Sequence, residues 1–231
     1  MRNLLLPFIA MIASFQITAQ TKKTFSVEPG QKVVEAIPVN ELYSHPQFTL
    51  GTVQLKDASE AQVKLNYNRV FGEIQYIDPK KGDTLSLAEE KNIRFVAIEK
   101  DTFYFDEVWL QFVSGNSTLK IAKKKMLEMS NKEKLGVFGT PTLGGSIETY
   151  NKFTGSQNMR DLVAKEKITF SEHVSYYFGD RFNHYTKANK KGLLKMYSKN
   201  EKELEKWLDE NKTDFSNEED LKKLFTYLET L

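Results

Sequence analysis

The chain contains no cysteine, which removes disulfides, thiolate metal sites and a cysteine nucleophile together. It also removes the lipobox thiol to which a lipid would be attached, so the apolar core must stabilise the protein. An excess of one charge is missing too. The 33 Lys and Arg against 31 Asp and Glu leave a formal net charge of +2, without the basic face that a nucleic-acid partner needs. Histidine is scarce: His45, His173 and His184 are the only three. Zinc ligands usually sit at turn or helical spacing, whereas His173 and His184, the nearest two, meet only across an expected hairpin. Glu172 and Asp180 would be the oxygen ligands there. No established ligand motif fits this spacing, so sheet or surface histidines are expected, with no metal and no cofactor.

One long apolar run exists, from Leu4 to Ile17, behind Met1-Arg2-Asn3 and ahead of Thr18-Ala19-Gln20. A single positive charge, a short apolar core and a small residue before a polar one form the signal-peptide pattern. Ala19 fits the small pocket of a signal peptidase, and Ile17 is acceptable two residues earlier. The run falls short of the roughly 20 residues of a membrane span, and Pro7 weakens an anchor. Export to the periplasm or the cell exterior is expected, with residues 1–19 removed and no transmembrane span afterwards.

What is present is ordinary globular usage, 40% apolar and 28% charged, with 16 Phe and 10 Tyr that favour pleated surfaces. After a leader at 20–24 the chain alternates at Phe25-Ser26-Val27, Val33-Val34 and Ile37-Pro38-Val39. Phe48 to Leu55 and Ala61 to Val70 are clearer strands. Val63, Leu65 and Tyr67 share one face of the second, and Gln62, Lys64 and Asn66 the other. Gly72 to Ile77 and Thr84 to Leu87 flank Asp78-Pro79-Lys80-Lys81-Gly82-Asp83, which is turn chemistry rather than a calcium loop. Ile93 to Ile98, Thr102 to Phe105 and Val108 to Val113 follow. Short, closely spaced strands without crossover helices make an antiparallel meander, barrel or sandwich.

Leu119 to Met129 reads as a long strand or a short helix. From Ser130 to Gly155 the glycines and Pro141 mark a looped connection, with a strand at Ser146 to Phe153. Ile168-Thr169-Phe170 and Val174 to Phe178 are strands, with a turn at Gly179-Asp180. Two helices follow, each opened by a capping box, Ser198 with Glu201 and Ser216 with Glu219. Leu204, Trp207 and Leu208 stripe the first; Leu221, Leu224, Phe225 and Leu228 stripe the second. The fold class is therefore α+β. A signal peptide at 1–19 precedes a β-rich domain at 20–134, a loop-rich connection at 135–165, and a hairpin plus helical tail at 166–231.

Two stretches carry a resemblance. One is Asn66-Tyr67-Asn68-Arg69-Val70-Phe71-Gly72, continuing to Asp78-Pro79-Lys80-Lys81-Gly82-Asp83-Thr84-Leu85. The other is the tail from Tyr176 to Leu228, with Lys191-Gly192-Leu193-Leu194-Lys195 between hairpin and helices. Together they resemble a family of secreted proteins of the Bacteroidota. The resemblance implies a Gram-negative envelope setting and a β-rich N-terminal part. It supplies no catalytic, cofactor-binding or metal residue.

The search for chemistry in the residues themselves is equally bare. Gly136 to Gly145 lacks the Gly-Lys-Ser/Thr ending of a phosphate loop, and no Gly-x-Ser-x-Gly elbow occurs. Ser130 and Ser146 have no identifiable base nearby in sequence. Lys120, Lys123 to Lys125, Lys132 and Lys134 form one basic run, read as the guard of an exposed edge strand. Phe103, Tyr104, Phe105, Trp109, Tyr176, Tyr177 and Phe178 read as core rather than a sugar platform. A hydrolase would need two carboxylates converging among Glu73, Asp101, Asp106 and Glu107, positions that suit turns better. The expectation is a non-catalytic envelope or surface protein with a protein partner. A β-barrel binder of a small ligand or glycan is the alternative, and contact with anionic lipid headgroups or a polyanionic glycan is the other reading of the lysine run.

Overall fold

Alternation becomes strand throughout 48–113 in the computed structural model, which describes residues 23–135, 141–143 and 163–231, with the backbone alone for 132–135 and 141–143. Eight strands come first: β1 (Thr24–Val27), β2 (Thr49–Leu55), β3 (Glu60–Asn68), β4 (Glu73–Ile77), β5 (Thr84–Ser86), β6 (Ile93–Ile98), β7 (Asp101–Asp106) and β8 (Val108–Gly115). β9 (Lys120–Leu135), β10 (Pro141–Leu143), β11 (Lys167–Gly179) and β12 (Tyr185–Lys187) complete one 12-stranded sheet. Every pairing is antiparallel, in the order β1-β11-β9-β8-β7-β6-β2-β3-β4-β5, with β10 on β9 and β12 on β11.

The sheet is an open one, with β1 and β5 at the ends of its order. It nonetheless curls. The β8 ladder on β9 stops at the pair Gln111–Lys123, and beyond it the Leu127 amide donates to the carbonyl of Arg69, just past β3, at 2.8 Å. Close approach is built in at Gly51, where a Cβ would stand 2.5 Å from the Ala97 carbonyl oxygen. The turn at Asp78–Asp83 closes as expected: the Asp78 amide donates to Asp83 O at 2.8 Å, and Gly82 takes φ +78°.

Several expectations change. Val33-Val34 and Ile37–Val39 are not extended but form two single helical turns, α1 (Val33–Ala36) and α2 (Val39–Leu42). Val33 and Ile37, four apart, are both buried in one cluster, which is helical spacing. The ambiguous Leu119 segment is strand, and it runs on through Ser130 to Leu135, where a loop was expected. The two strands expected at Ile168 and Val174 are one, β11, with a bulge between Thr169 and Phe170. The expected strand at Ser146 to Phe153, most of the glycine segment and residues 1–22 lie outside the described residues.

Three short helices end the chain: α3 (Lys190–Met196), α4 (Glu201–Asn211) and α5 (Glu218–Leu228). Neither capping box forms. Ser198 lies in a 3₁₀ turn (Ser198–Asn200), and Asn200, at the N-cap of α4, makes no side-chain cap. Asn217 caps α5 by accepting from the amides of Glu219 and Asp220, while Ser216 Oγ donates to Asp214. The apolar stripes are as expected. Leu204, Leu208, Leu221, Leu224, Phe225 and Leu228 cover Leu119, just ahead of β9, and Ile121, Tyr176 and Phe178 of the sheet. A second cluster joins α1 and α2 to Leu127, Met129 and Phe170, and a third fills the meander with Leu65, Tyr67, Ile74, Phe103 and Trp109. Among the described residues no helix is long and apolar enough to cross a membrane.

Candidate interaction surface

The polar side chains singled out in the sequence are spent on holding elements together. His45 lies in the loop between α2 and β2, pinned by Asn66. The His45 amide donates to Asn66 Oδ1 (3.1 Å), and Asn66 Nδ2 donates to the carbonyls of His45 (2.9 Å) and Gln47 (3.2 Å). The buried imidazole then meets the β6–β7 hairpin, with Glu99 Oε2 3.4 Å from Nδ1 and Asp101 Oδ2 3.4 Å from Nε2. His173 and His184 do not face each other. His173 Nε2 is 3.0 Å from Ser175 Oγ, and His184 Nδ1 is 3.5 Å from Asp180. Among the described residues no group of three His, Cys, Asp or Glu can hold a metal.

The four carboxylates weighed for hydrolysis are dispersed. Asp101 faces His45, Glu73 accepts from Ser86 Oγ (2.5 Å), and Asp106 accepts from the Tyr185 amide (2.6 Å). Glu107 occupies the left-handed position of the β7–β8 turn. Glu172 instead pairs with the buried Arg69 and with Lys125, and Arg69 also approaches Glu41 at 3.5 Å. Burial works against the Glu172 carboxylate, but the Lys125 hydrogen bond and the charges of Lys125 and Arg69 hold its pKa below the usual value.

The lysine run does not guard an edge. β9 is central, between β11 and β8. Lys123 pairs with Glu218 of α5 at 2.8 Å, Lys125 with Glu172, and Lys120 bonds Asn183 while lying 5.1 Å from the centroid of the Tyr104 ring. The side chains of Lys132 and Lys134 lie outside the described ones. Phe103, Phe105 and Trp109 belong to the filled meander, and Tyr176 and Phe178 to the helix-covered cluster. An open depression of about 620 Å³ lies at the meander's mouth, beside Val53, Leu55, Leu87 and Ile93.

Val39, Leu50 and Phe182 are the most exposed large apolar side chains among the described residues, and Phe182 is the aromatic one. It stands 64% exposed on the turn joining β11 to β12, and the turn is tightly tied. Asp180 Oδ1 accepts from the amides of Phe182 (2.8 Å) and His184 (2.9 Å), the Asp180 amide donates to His184 O (3.1 Å), and the Asn183 amide to Asp180 O (3.1 Å). Slight burial raises the Asp180 pKa, and those backbone donors outweigh it and lower it. Asn183 takes φ +65°, a left-handed conformation that asparagine tolerates. The base of the turn is anchored through Lys120 to Asn183 and through Tyr185 to Asp106. The Arg181 guanidinium lies 4.7 Å from the Phe182 ring centroid, and the His184 ring 6.3 Å away on a tilt. The signal for such a tip was readable as Gly179-Asp180-Arg181-Phe182-Asn183-His184: a capping Asp two residues before an apolar residue inside a turn. Alternation arguments pass over it because a turn has no face.

No family model, curated protein or solved structure matches the chain.

Proposed function

We propose that this is an exported, non-catalytic envelope or surface protein acting as a protein-interaction module, with the Phe182 turn as the element it presents. The carrying observation is a large apolar ring held out in water on a backbone tied by four hydrogen bonds. Burying such a ring in a partner is worth about 1.5–3 kcal/mol, and a turn already ordered loses little entropy on binding. Arginine beside an aromatic ring is a common composition for the energetic centre of an interface. The complementary surface is an apolar pocket with a carboxylate at its rim for Arg181. The leader pattern at residues 1–20 supports the address, as does the resemblance to secreted Bacteroidota proteins.

A photo-reactive residue at position 182 of the exported chain, irradiated in intact cells, tests this. One discrete protein adduct is expected, and the uncrosslinked chain recovered beside it should have the mass of one beginning at Gln20. Untagged wild-type chain should compete the adduct away and the Phe182→Ala chain should not. Equal competition by both chains, or irradiation without an adduct, overturns the proposal.

A further inference from the structure

The loop between α2 and β2 is held from two sides. On one side it lies along β3 and β4. The Ser44 amide donates to Tyr67 O (3.0 Å), the Arg69 amide donates back to Leu42 O (2.8 Å), and Tyr43 OH donates to Gln75 Oε1 (3.0 Å). On the other side His45 reaches past the start of β2 to the turn between β6 and β7, where Ile98 pairs with Asp101. The loop thus crosses one end of the meander. At that end Thr49 pairs with Leu65 and Gly51 with Ile98, and Leu65 and Ile98 belong to the meander's core.

The imidazole is buried, and its two nitrogens face two different carboxylates, Glu99 at Nδ1 and Asp101 at Nε2. Among the described residues these are the charged groups within ion-pair distance of the ring. Lys100, between them, is exposed. β3 contributes the uncharged Asn66, which holds the His45 backbone rather than its ring. A neutral imidazole has one N–H and can donate to one of the two acids, whereas the doubly protonated ring donates to both. As the ring stands, Nε2 is buried without a hydrogen-bond partner, with Asp101 Oδ2 still 3.4 Å away. Glu99 adds a second sign. It takes φ +52° at the first position of a two-residue hairpin turn, where glycine is the favoured residue when φ is positive. The strain of a glutamate there brings a carboxylate onto the ring.

We propose that His45 is a proton-operated clasp: doubly protonated, it ties the α2–β2 loop to the β6–β7 hairpin, and as a neutral ring it lets go of one acid and loosens that end of the meander. The clasp shares no residue with the Phe182 turn, and the two proposals fail separately.

The test is an NMR sweep of the full chain from about pH 8 to about pH 5, the span in which an imidazole ordinarily changes charge. The His45 ring should titrate, and the amide shifts of Glu99, Lys100 and Asp101 should follow with the same midpoint. Protection of the Ser44 amide, corrected for the intrinsic pH dependence of exchange, should rise at least about threefold as the ring is protonated. The His173 and His184 rings serve as controls, and their titrations should leave the hairpin amides unmoved. Glu99→Gln and Asp101→Asn should each lower the proton affinity of the His45 ring at least about threefold. In the His45→Gln chain the hairpin shifts and the Ser44 protection should stay flat. Hairpin amides that still titrate in His45→Gln, or a ring affinity unchanged in both carboxylate variants, overturn the proposal. So does a wild-type ring that does not titrate in the sweep, or one that titrates while Ser44 protection stays constant; neither result depends on how a variant folds.

Discussion

Asn66 is the residue on which the N-terminal part turns. Its side chain supplies the donors and the acceptor that a strand partner would supply to the His45 and Gln47 backbone. Each buried backbone group left unmade costs about 1–3 kcal/mol. Asn66→Ala is expected to lower the unfolding free energy by at least about 2 kcal/mol in urea titration, and a change below about 0.5 kcal/mol would show the loop holds without it. In the sequence Asn66 falls on the polar side of β3 and reads as wet. The structure buries it because the α2–β2 loop folds over that side, a contact no period-two pattern encodes. Arg69 escaped for the same reason: a buried guanidinium is affordable only with Glu41 and Glu172, the latter more than a hundred residues away.

At the level of elements, α5 is fastened to the sheet by charge as well as by its apolar stripe. Glu218 meets Lys123 and Lys222, and Tyr176 OH donates to it at 3.4 Å. Burial chiefly, then the Glu218 charge, pushes the Tyr176 pKa up to about 12. For Glu218 burial opposes ionisation, yet the lysine hydrogen bonds and charges prevail and lower its pKa, as they do for Glu172. Lowered carboxylate values mean that the folded state binds the proton less readily than the unfolded state. The stabilisation is complete above the ordinary glutamate value of 4.5 and is lost as the pH falls through and below it. Melting temperatures between pH 6 and pH 3 should therefore fall more steeply for the wild type than for Glu172→Gln/Glu218→Gln. Parallel curves would mean that neither carboxylate is linked to folding. The same element shows why the lysines of β9 were misjudged. A run of charge looks like an edge device until the acids that face it, on α5 and β11, are brought across.

Across the whole molecule, one sheet unites distant parts of the chain: β1 closes on β11, and β9 and β11 form the longest ladder. The helical tail is the lid of one apolar cluster, since Leu221, Leu224, Phe225 and Leu228 cover Leu119, Ile121, Tyr176 and Phe178. A chain ending before Ser216 would bare that patch, and exposed apolar surface of this kind drives association. Such a chain is expected to bind a hydrophobic dye and to elute as oligomers in size-exclusion chromatography, where the full chain does not. A monodisperse, dye-silent truncation would mean that α3 and α4 cover the cluster alone.

Local periodicity was enough to specify the strands of the meander, the Asp78–Asp83 turn, the two striped helices and the α+β class. Each of these is decided by neighbours a few residues apart, through alternation, turn chemistry and helical spacing. The pairing order, the place of β9 at the centre, and the burial of Asn66 and Arg69 depended on the tertiary structure. These arise from which strand lies beside which, and side-chain period within a strand carries no information about its neighbour.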